Sequence, residues 1–296
     1  DLGDGLFAFY TEGALLAHQD YDPESQANLD QKGEAVYGSL TGFFSNVTML
    51  LEAKHYRRFQ FVTTNSQLAP VGIVYHAPPT LERFDQAVAN NTDATGGRLR
   101  VETNFRKVGT RLYGNAMYYL FTSNQTDPFE EDGKYALHAY GGVQQKIGRS
   151  ATVDLSGGWR EERRREDGDL SRKLWHAETD VSVPLTGPHA LNVKAEHRTE
   201  VKSAVPDNKQ FVKGLITTTY SLRSMFRLSG LYGYTTEFKT TVPIHHVATQ
   251  VDWDFMSGST LRVFGGRLPG GIVCAGGTCV TVPPSSTYRM ELAMRF

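Results

Sequence analysis

The stretch STYRMELAMRF (286–296) alternates strictly between two kinds of side chain. In an extended strand, successive side chains point to opposite faces. One face of this strand carries Tyr288, Met290, Leu292, Met294 and Phe296. The opposite face carries Thr287, Arg289, Glu291, Ala293 and Arg295. A soluble sandwich strand can alternate in this way too, but a strand that ends on an aromatic residue favours a lipid-facing row with an interfacial anchor.

The same two-residue period recurs along the chain and predicts fourteen strands. They are predicted at 5–18, 33–44, 47–59, 98–106, 110–122, 134–147, 151–160, 173–185, 189–198, 211–220, 224–236, 244–255, 259–265 and 286–296. The segment 211–220 is predicted as a strand whose two faces cannot be assigned.

The predicted connections are sorted by length. Those after even-numbered strands are short, whereas those after odd-numbered strands are long, such as QDYDPESQANLDQK (19–32) and EERRREDGDLS (161–171). This pattern is typical of a transmembrane antiparallel up-and-down β-barrel with short periplasmic turns and long extracellular loops. We expect the last strand to pair with the first and close the barrel.

The bulk composition agrees with one β-domain over 1–296. The chain has 29 Gly, 16 Phe and 14 Tyr, and 40% of its residues are hydrophobic. No run of about 18 apolar residues is present, which excludes a membrane-spanning helix. The formal net charge of −1 argues against a nucleic-acid partner. Asp1 is not followed by a signal peptide, so we expect a mature or trimmed sequence.

Two blocks resemble a family of uncharacterised bacterial outer-membrane β-barrel proteins, known as a domain of unknown function. They are PPTLERFDQAVANNTDATGGRLRVE (78–102) and GGIVCAGGTCVTVPPSSTYRMELAMRF (270–296). The terminal Phe296 also resembles the signature that the barrel-insertion machinery recognises. The resemblance implies a bacterial outer-membrane location, with lipid and lipopolysaccharide as surroundings and the insertion machinery as a partner. It implies no catalytic activity.

The polar rows predict a lumen that carries both signs of charge. The predicted lumen-lining residues, which would border a solute path, are Arg98, Arg100, Glu102, Asp154, Arg160, His176, Glu178, Asp180, Lys194, Glu196, Asp252, Arg289 and Glu291. Such a wall admits small polar solutes and excludes apolar ones. The alternative is an occluded barrel in which these groups pair across strands, acting as a structural or docking subunit for other envelope proteins.

The remaining features concern the membrane interface and the long connections. A lipid-interface girdle is predicted from Trp159, Trp175, Trp253, Phe255, Tyr288 and Phe296. The irregular segment 60–97 is a candidate plug or gating loop, with an external loop packed on the rim as the alternative. Cys274 and Cys279 are expected to form a disulfide that closes the external loop 266–285.

An enzyme is not expected from this sequence. No catalytic motif such as GxSxG is present, and the adjacent His245 and His246 point to opposite faces of a strand. We therefore predict no catalytic residues, no metal site and no cofactor.

Overall fold

The computed structural model is an all-β structure. It describes residues 6–22, 27–57, 94–122, 133–148, 150–165, 167–203, 210–223, 225–237, 243–256, 258–268, 271–275, 278–282 and 285–294. Within these ranges, no helix is long and apolar enough to cross a membrane.

Fourteen strands form one sheet and two short strands form a separate hairpin. The first seven are β1 (Phe7–Asp22), β2 (Ala27–Phe44), β3 (Val47–Arg57), β4 (Ala94–Phe105), β5 (Thr110–Thr122), β6 (Gly133–Ile147) and β7 (Ala151–Arg164). Next come β8 (Leu170–Pro184), β9 (His189–Lys202), β10 (Gln210–Leu222), β11 (Phe226–Thr235), β12 (Ile244–Met256) and β13 (Ser259–Leu268). The hairpin is β14 (Gly271–Ala275) with β15 (Thr278–Val282), and β16 (Ser285–Ala293) completes the sheet.

Strands that are adjacent in the sheet are also adjacent in the chain, except that β13 pairs with β16 across the small hairpin. Neighbouring strands are antiparallel throughout. The predicted fold class is therefore confirmed in its strand number, its up-and-down order and its strand direction. Within the described residues β1 pairs only with β2 and β16 only with β13, so the expected closing pair is not observed. Pairing along a sheet does not by itself impose the curvature that closure needs.

Several predicted connections are wrong because the strands extend further than their amphipathic signal does. The segment 19–32 is largely strand, with Asp22 opposite Ala27 at the end of the β1–β2 ladder. The charged segment 161–171 also lies mostly in β7 and β8. A strand that leaves the apolar zone loses its apolar face but keeps its backbone hydrogen bonds, so a hydropathy pattern ends too early.

Two other predicted loops are shorter than expected, because residues at their ends belong to strands. Residues 94–97 of the candidate plug belong to β4, and 60–93 lie outside the described residues. The predicted loop 266–285 contains the β14–β15 hairpin, begins with the last residues of β13 and ends at the first residue of β16. The plug hypothesis stays a prediction.

The six short turns share one backbone feature. Among its described residues, each has one with positive φ: Ser45, Gly109, Gly148, Gly187, Arg223 and Gly258. Four are glycine, which adopts this conformation without steric cost. Ser45 and Arg223 do so at about 1–2 kcal/mol each, a cost that the surrounding hairpins must offset.

The burial of the side chains is inverted relative to a water-soluble protein. On one face, which we call the apolar face, large hydrophobic side chains are exposed, including Leu15 (88%), Met290 (72%) and Tyr288 (93%). On the other, the polar face, charged residues are buried, including Arg98 (2%) and Arg160 (1%). The sheet therefore curves around its polar face, and its apolar face requires a hydrocarbon environment to be stable.

This arrangement predicts a face-dependent cost for a charge at the middle of β12. Val251 lies on the apolar face, opposite Leu228 and Val263, while its neighbour Gln250 lies on the polar face and donates to Asp252. Val251→Arg should lower the free energy of unfolding from lipid vesicles by about 2–4 kcal/mol, because the guanidinium enters hydrocarbon. Urea titration of the reconstituted protein measures this change.

Gln250→Arg is the matched control, with the same new side chain one residue away. It should change the free energy of unfolding by less than about 1 kcal/mol, because the new group stays beside the Asp252 carboxylate. Equal losses for the two variants would contradict the assignment of the faces.

Candidate functional site

The candidate site is the polar face of the sheet. The registers of β4, β7, β8, β9, β12 and β16 place all thirteen predicted lumen residues on this face. Some of them are brought together in pairs: Nζ of Lys194 lies 3.2 Å from Asp180, Arg100 contacts Glu102, and Arg289 contacts Glu291. That they border a solute path stays a prediction.

Two buried histidines lie near the middle of the polar face. Nε2 of His138 on β6 is 3.0 Å from Nε2 of His176 on β8. A hydrogen bond between two imidazoles needs one N–H group and one nitrogen lone pair, so at least one ring is neutral. Nδ1 of His176 lies 3.0 Å from Glu178, which also accepts a hydrogen bond from Ser156 at 2.8 Å. These groups form one continuous polar chain across β6, β7 and β8.

Gly158 makes the histidine contact geometrically feasible. It lies on β7 between the two histidine strands, opposite His176 and Tyr140. A Cβ atom at Gly158 would lie 2.6 Å from Nε2 of His176, 2.4 Å from Cβ of Tyr140 and 2.7 Å from the carbonyl oxygen of Ala139. The imidazole therefore crosses the strand in space that only glycine leaves open.

A buried ion pair joins β3 and β4 on the same face. Glu52 and Arg98 are directly opposite in the register and form a salt bridge whose side chains are 9% and 1% exposed. The hydroxyl of Tyr37 on β2 donates a hydrogen bond to Glu52. Nearby, Nζ of Lys54 lies 4.8 Å from the centre of the Tyr119 ring. Burial of this kind is tolerated only because each charge has a close partner.

A second network lies towards the long-connection end of β7 to β11. Nε of Arg172 donates to Glu200 at 2.7 Å, and its Nη1 lies 3.4 Å from Glu162. Glu162 also accepts from Arg160 at 2.8 Å, and Glu200 lies 3.4 Å from Lys202. Positive and negative groups alternate, so every buried carboxylate in this network faces a cation.

The network continues past the end of β11 to Glu237. Lys202 donates to its carboxylate at 2.9 Å, and Lys213 donates to it as well. Burial alone would raise the pKa of Glu237, but the hydrogen bonds and positive charges of Lys213 and Lys202 hold that pKa below its ordinary value. This carboxylate is therefore ionised at neutral pH and ties the 236–237 segment to β9 and β10.

The third group of charges is a row across the last strands. Arg227, Asp252, Arg262 and Glu291 lie directly opposite one another on β11, β12, β13 and β16. The Arg262 Nε group donates to Asp252 at 2.7 Å, and its Nη1 lies 3.6 Å from Glu291. Charges alternate along this row and cancel.

Exposure varies from residue to residue on the polar face. Arg98, His138 and Arg160 on β4, β6 and β7 are almost completely buried, and so are Glu200 on β9 and His246 on β12. The side chains of Lys194 (63%) and Arg289 (65%) on β9 and β16 are mostly exposed. Water therefore reaches some of the charged side chains of this face, while others are packed within the protein.

Several polar residues of the site are absent from the predicted lumen set, and some of them lie beyond the predicted strand ends. Glu52 and Lys54 alternate with Leu51 and Ala53 in β3, so the two-residue period could have found them. The residues at the extended strand ends are Glu162, Arg172 and Glu200, which continue the polar parity of β7, β8 and β9. Only recognising the longer strands would have included these three.

The predicted interface residues lie on the apolar face as far as the structure describes them. Trp159 and Trp175 are directly opposite, with ring centres 6.2 Å apart, and Trp253 contacts Phe255 at 5.6 Å. Tyr288 is exposed on β16. Phe296 lies outside the described residues.

For the two cysteines, the structure describes the backbone pairing alone. Cys274 and Cys279 are opposite each other in the β14–β15 register, but their side chains lie outside the described residues. No disulfide is found within the described part of the chain, so the bridge stays a prediction. Likewise, the described residues include no cluster of three or more His, Cys, Asp or Glu arranged to hold a metal ion.

Comparison with known proteins gives no family for this chain. No protein-family model matches the chain, and no curated protein matches it. The predicted membership of an uncharacterised family therefore stays a prediction.

Two solved structures are similar, and both are outer-membrane β-barrel transporters. The P. putida toluene transporter TodX has a TM-score of 0.31 and 8% identity, over 97% of this chain and 86% of TodX. The ferric citrate transporter FecA in its unliganded form has a TM-score of 0.41 and 12% identity, over 90% of this chain and 44% of FecA. The chain thus spans less than half of FecA, and likeness at this level carries no solute or activity to it.

The close approach at Gly158 predicts a strong position dependence of alanine substitution. Gly158→Ala should lower the free energy of unfolding by about 1–3 kcal/mol, because the new methyl overlaps a backbone oxygen and the His176 ring. At the neighbouring Gly157, the nearest atom to a Cβ would be the His176 carbonyl oxygen at 3.1 Å. Gly157→Ala should therefore cost clearly less, and equal urea midpoints for the two variants would contradict the packing described here.

The buried Glu52–Arg98 pair predicts a second stability difference. Glu52→Gln should lower the free energy of unfolding by about 3–5 kcal/mol, because Arg98 is left buried without its counter-charge. Glu291→Gln, at a pair in which both side chains are largely exposed, should cost at most about 1 kcal/mol. If Glu52→Gln/Arg98→Met fails to recover stability relative to Glu52→Gln, the loss does not come from the uncompensated charge.

Proposed function

We propose that the protein is a channel for small polar solutes with a mixed-charge lumen. One observation carries the proposal: charged side chains line the inside of the curved sheet, while its outside exposes leucine, valine and aromatic side chains. A lumen with both signs of charge and little net charge passes polar molecules with weak preference for anions or cations.

The solute path is proposed to run beside the water-accessible charges of the polar face. Lys194, Arg262 and Arg289 are at least two-fifths exposed, and the carboxylates of Asp180 and Glu291 are each about 41% exposed. Buried charges such as Arg98 and Arg160 fix the shape of the lumen and do not themselves need to contact solute.

The proposed location is the bacterial outer membrane. Exposed apolar rows on β strands and aromatic residues such as Trp175 and Trp253 support contact with lipid and lipopolysaccharide. We further propose that Phe296 interacts with the barrel-insertion machinery, on the basis of the terminal sequence pattern alone.

A second candidate function is an occluded barrel that acts as a structural or docking subunit for other envelope proteins. The near-complete burial of Arg98, His138 and Arg160 favours it, because these groups are paired with the protein and not with water. The two functions predict different behaviour of the purified protein. A channel produces stepwise conductance in planar bilayers, whereas an occluded subunit stays silent and co-purifies with its partners.

The channel proposal predicts a charge-dependent selectivity. Lys194→Glu should shift the reversal potential in a salt gradient towards cation preference, because it places a second carboxylate next to Asp180 on the exposed side of the lumen. Reversal potentials of single channels in planar bilayers measure the shift.

Lys107→Glu provides the control, because Lys107 is exposed in the short turn that follows β4. It changes the net charge of the protein equally but lies outside the lumen, so the reversal potential should stay the same. Absence of conductance from the unaltered protein would reject the channel in favour of the occluded subunit.

A further inference from the structure

A cavity of about 450 Å³ lies on the polar face over β10 to β13 and β16. Its volume is in the range of small-molecule sites in proteins. It lies on other strands than the His138–His176 contact and the Glu52–Arg98 pair. The side chains that define it are Leu231, Ala248, Phe264, Gln250, Arg262 and Arg289.

The floor of the cavity is apolar although it belongs to a water-facing surface. Leu231 and Ala248 are directly opposite each other on β11 and β12, and Phe264 lies on the next strand, opposite Gln250. Ala248 is already buried in the protein, whereas Leu231 and Phe264 are only partly buried and their remaining surface does not face lipid. An apolar body lying in the cavity would cover this remaining surface.

The rim of the cavity is polar and carries two guanidinium groups. Arg262 and Arg289 line it, together with hydroxyl groups and the Gln250 amide, and no aspartate or glutamate is among its lining residues. Phe264 is directly opposite Arg289, so an aromatic ring and a guanidinium lie side by side at one wall. This combination suits a ligand with an apolar body and a negatively charged end.

The carboxylates behind the rim orient the two guanidinium groups without occupying them. Asp252 accepts from Nε of Arg262, and Glu291 contacts Nη2 of Arg289. A guanidinium has five N–H donors, so donors remain on both arginines for a ligand carboxylate. Because the arginines are held in place by their neighbours, a ligand does not have to order them on binding.

We propose that this cavity binds a small amphipathic carboxylate, with its apolar body on Leu231 and Phe264 and its carboxylate on Arg262 and Arg289. The site rests on the proposed channel function and narrows its substrate class to organic acids with an apolar part. A ligand for this cavity needs both a negative charge and an apolar surface.

The test is calorimetric titration of 2-naphthoate into the full chain purified in detergent, against a blank of micelles alone. Saturable binding is expected, and Arg289→Gln should weaken it about ten-fold because it removes charge-assisted hydrogen bonds. Phe264→Ala should also weaken binding several-fold, since it removes the aromatic wall. Arg289→Lys should recover part of the loss.

Matched ligands and a matched variant distinguish binding at the proposed site from nonspecific binding. The neutral isostere 2-naphthamide should bind at least about ten-fold more weakly than 2-naphthoate. Arg106→Gln, in an exposed turn, should bind 2-naphthoate as the unaltered chain does. Equal affinity for the two ligands, no saturable binding, or preference for the cation 2-naphthylmethylamine would each overturn the site.

The binding test and the conductance test fail independently. Conductance without naphthoate binding rejects the site and leaves the channel in place. Naphthoate binding by a chain that gives no conductance rejects the channel and leaves a ligand-binding barrel.

Discussion

Opposite faces of every strand in this sheet must meet different solvents, and this constraint governs the rest of the structure. Because side chains alternate with a period of two, a one-residue slip would place charges in hydrocarbon and apolar groups in the lumen. The register avoids this: Leu261 is opposite Leu292, and Arg262 is opposite Glu291. In hydrocarbon the backbone groups must also be paired between strands, so neighbouring ladders are as necessary as the side-chain pattern.

Charges on the inner face are stabilised in two ways that have different functional consequences. Where they are buried, as at Arg172 between Glu162 and Glu200, a missing partner would be costly, so the network is rigid. Where they are exposed, as at Arg289, the ion pair contributes little and a solute can replace part of it at small cost. Buried ion pairs therefore make parts of the polar face rigid, whereas exposed ion pairs leave other parts adaptable.

The strand number and the two faces follow from sequence because alternation is a local property. The strand ends do not, since beyond the hydrocarbon zone both faces are polar, as near Asp22. The contact between His138 and His176 depends on the register of three strands. Alternation determines which face a residue lies on, but a register shift of two residues leaves that face unchanged. The faces of 211–220 were unassignable because Phe211 and Leu215 share the polar face with Lys213.

The terminal strand β16 contributes residues both to the apolar face and to the candidate site. Its outward residues Tyr288, Met290 and Leu292 extend the apolar face, while Glu291 completes the charged row begun by Arg227. Without Glu291, Arg262 would keep Asp252 alone, a carboxylate that it shares with Arg227, and the row would carry excess positive charge. The same alternation thus places apolar residues at the lipid boundary and balances the charges of the lumen. A change in the register of this strand would therefore alter both the lipid-facing surface and the charge balance.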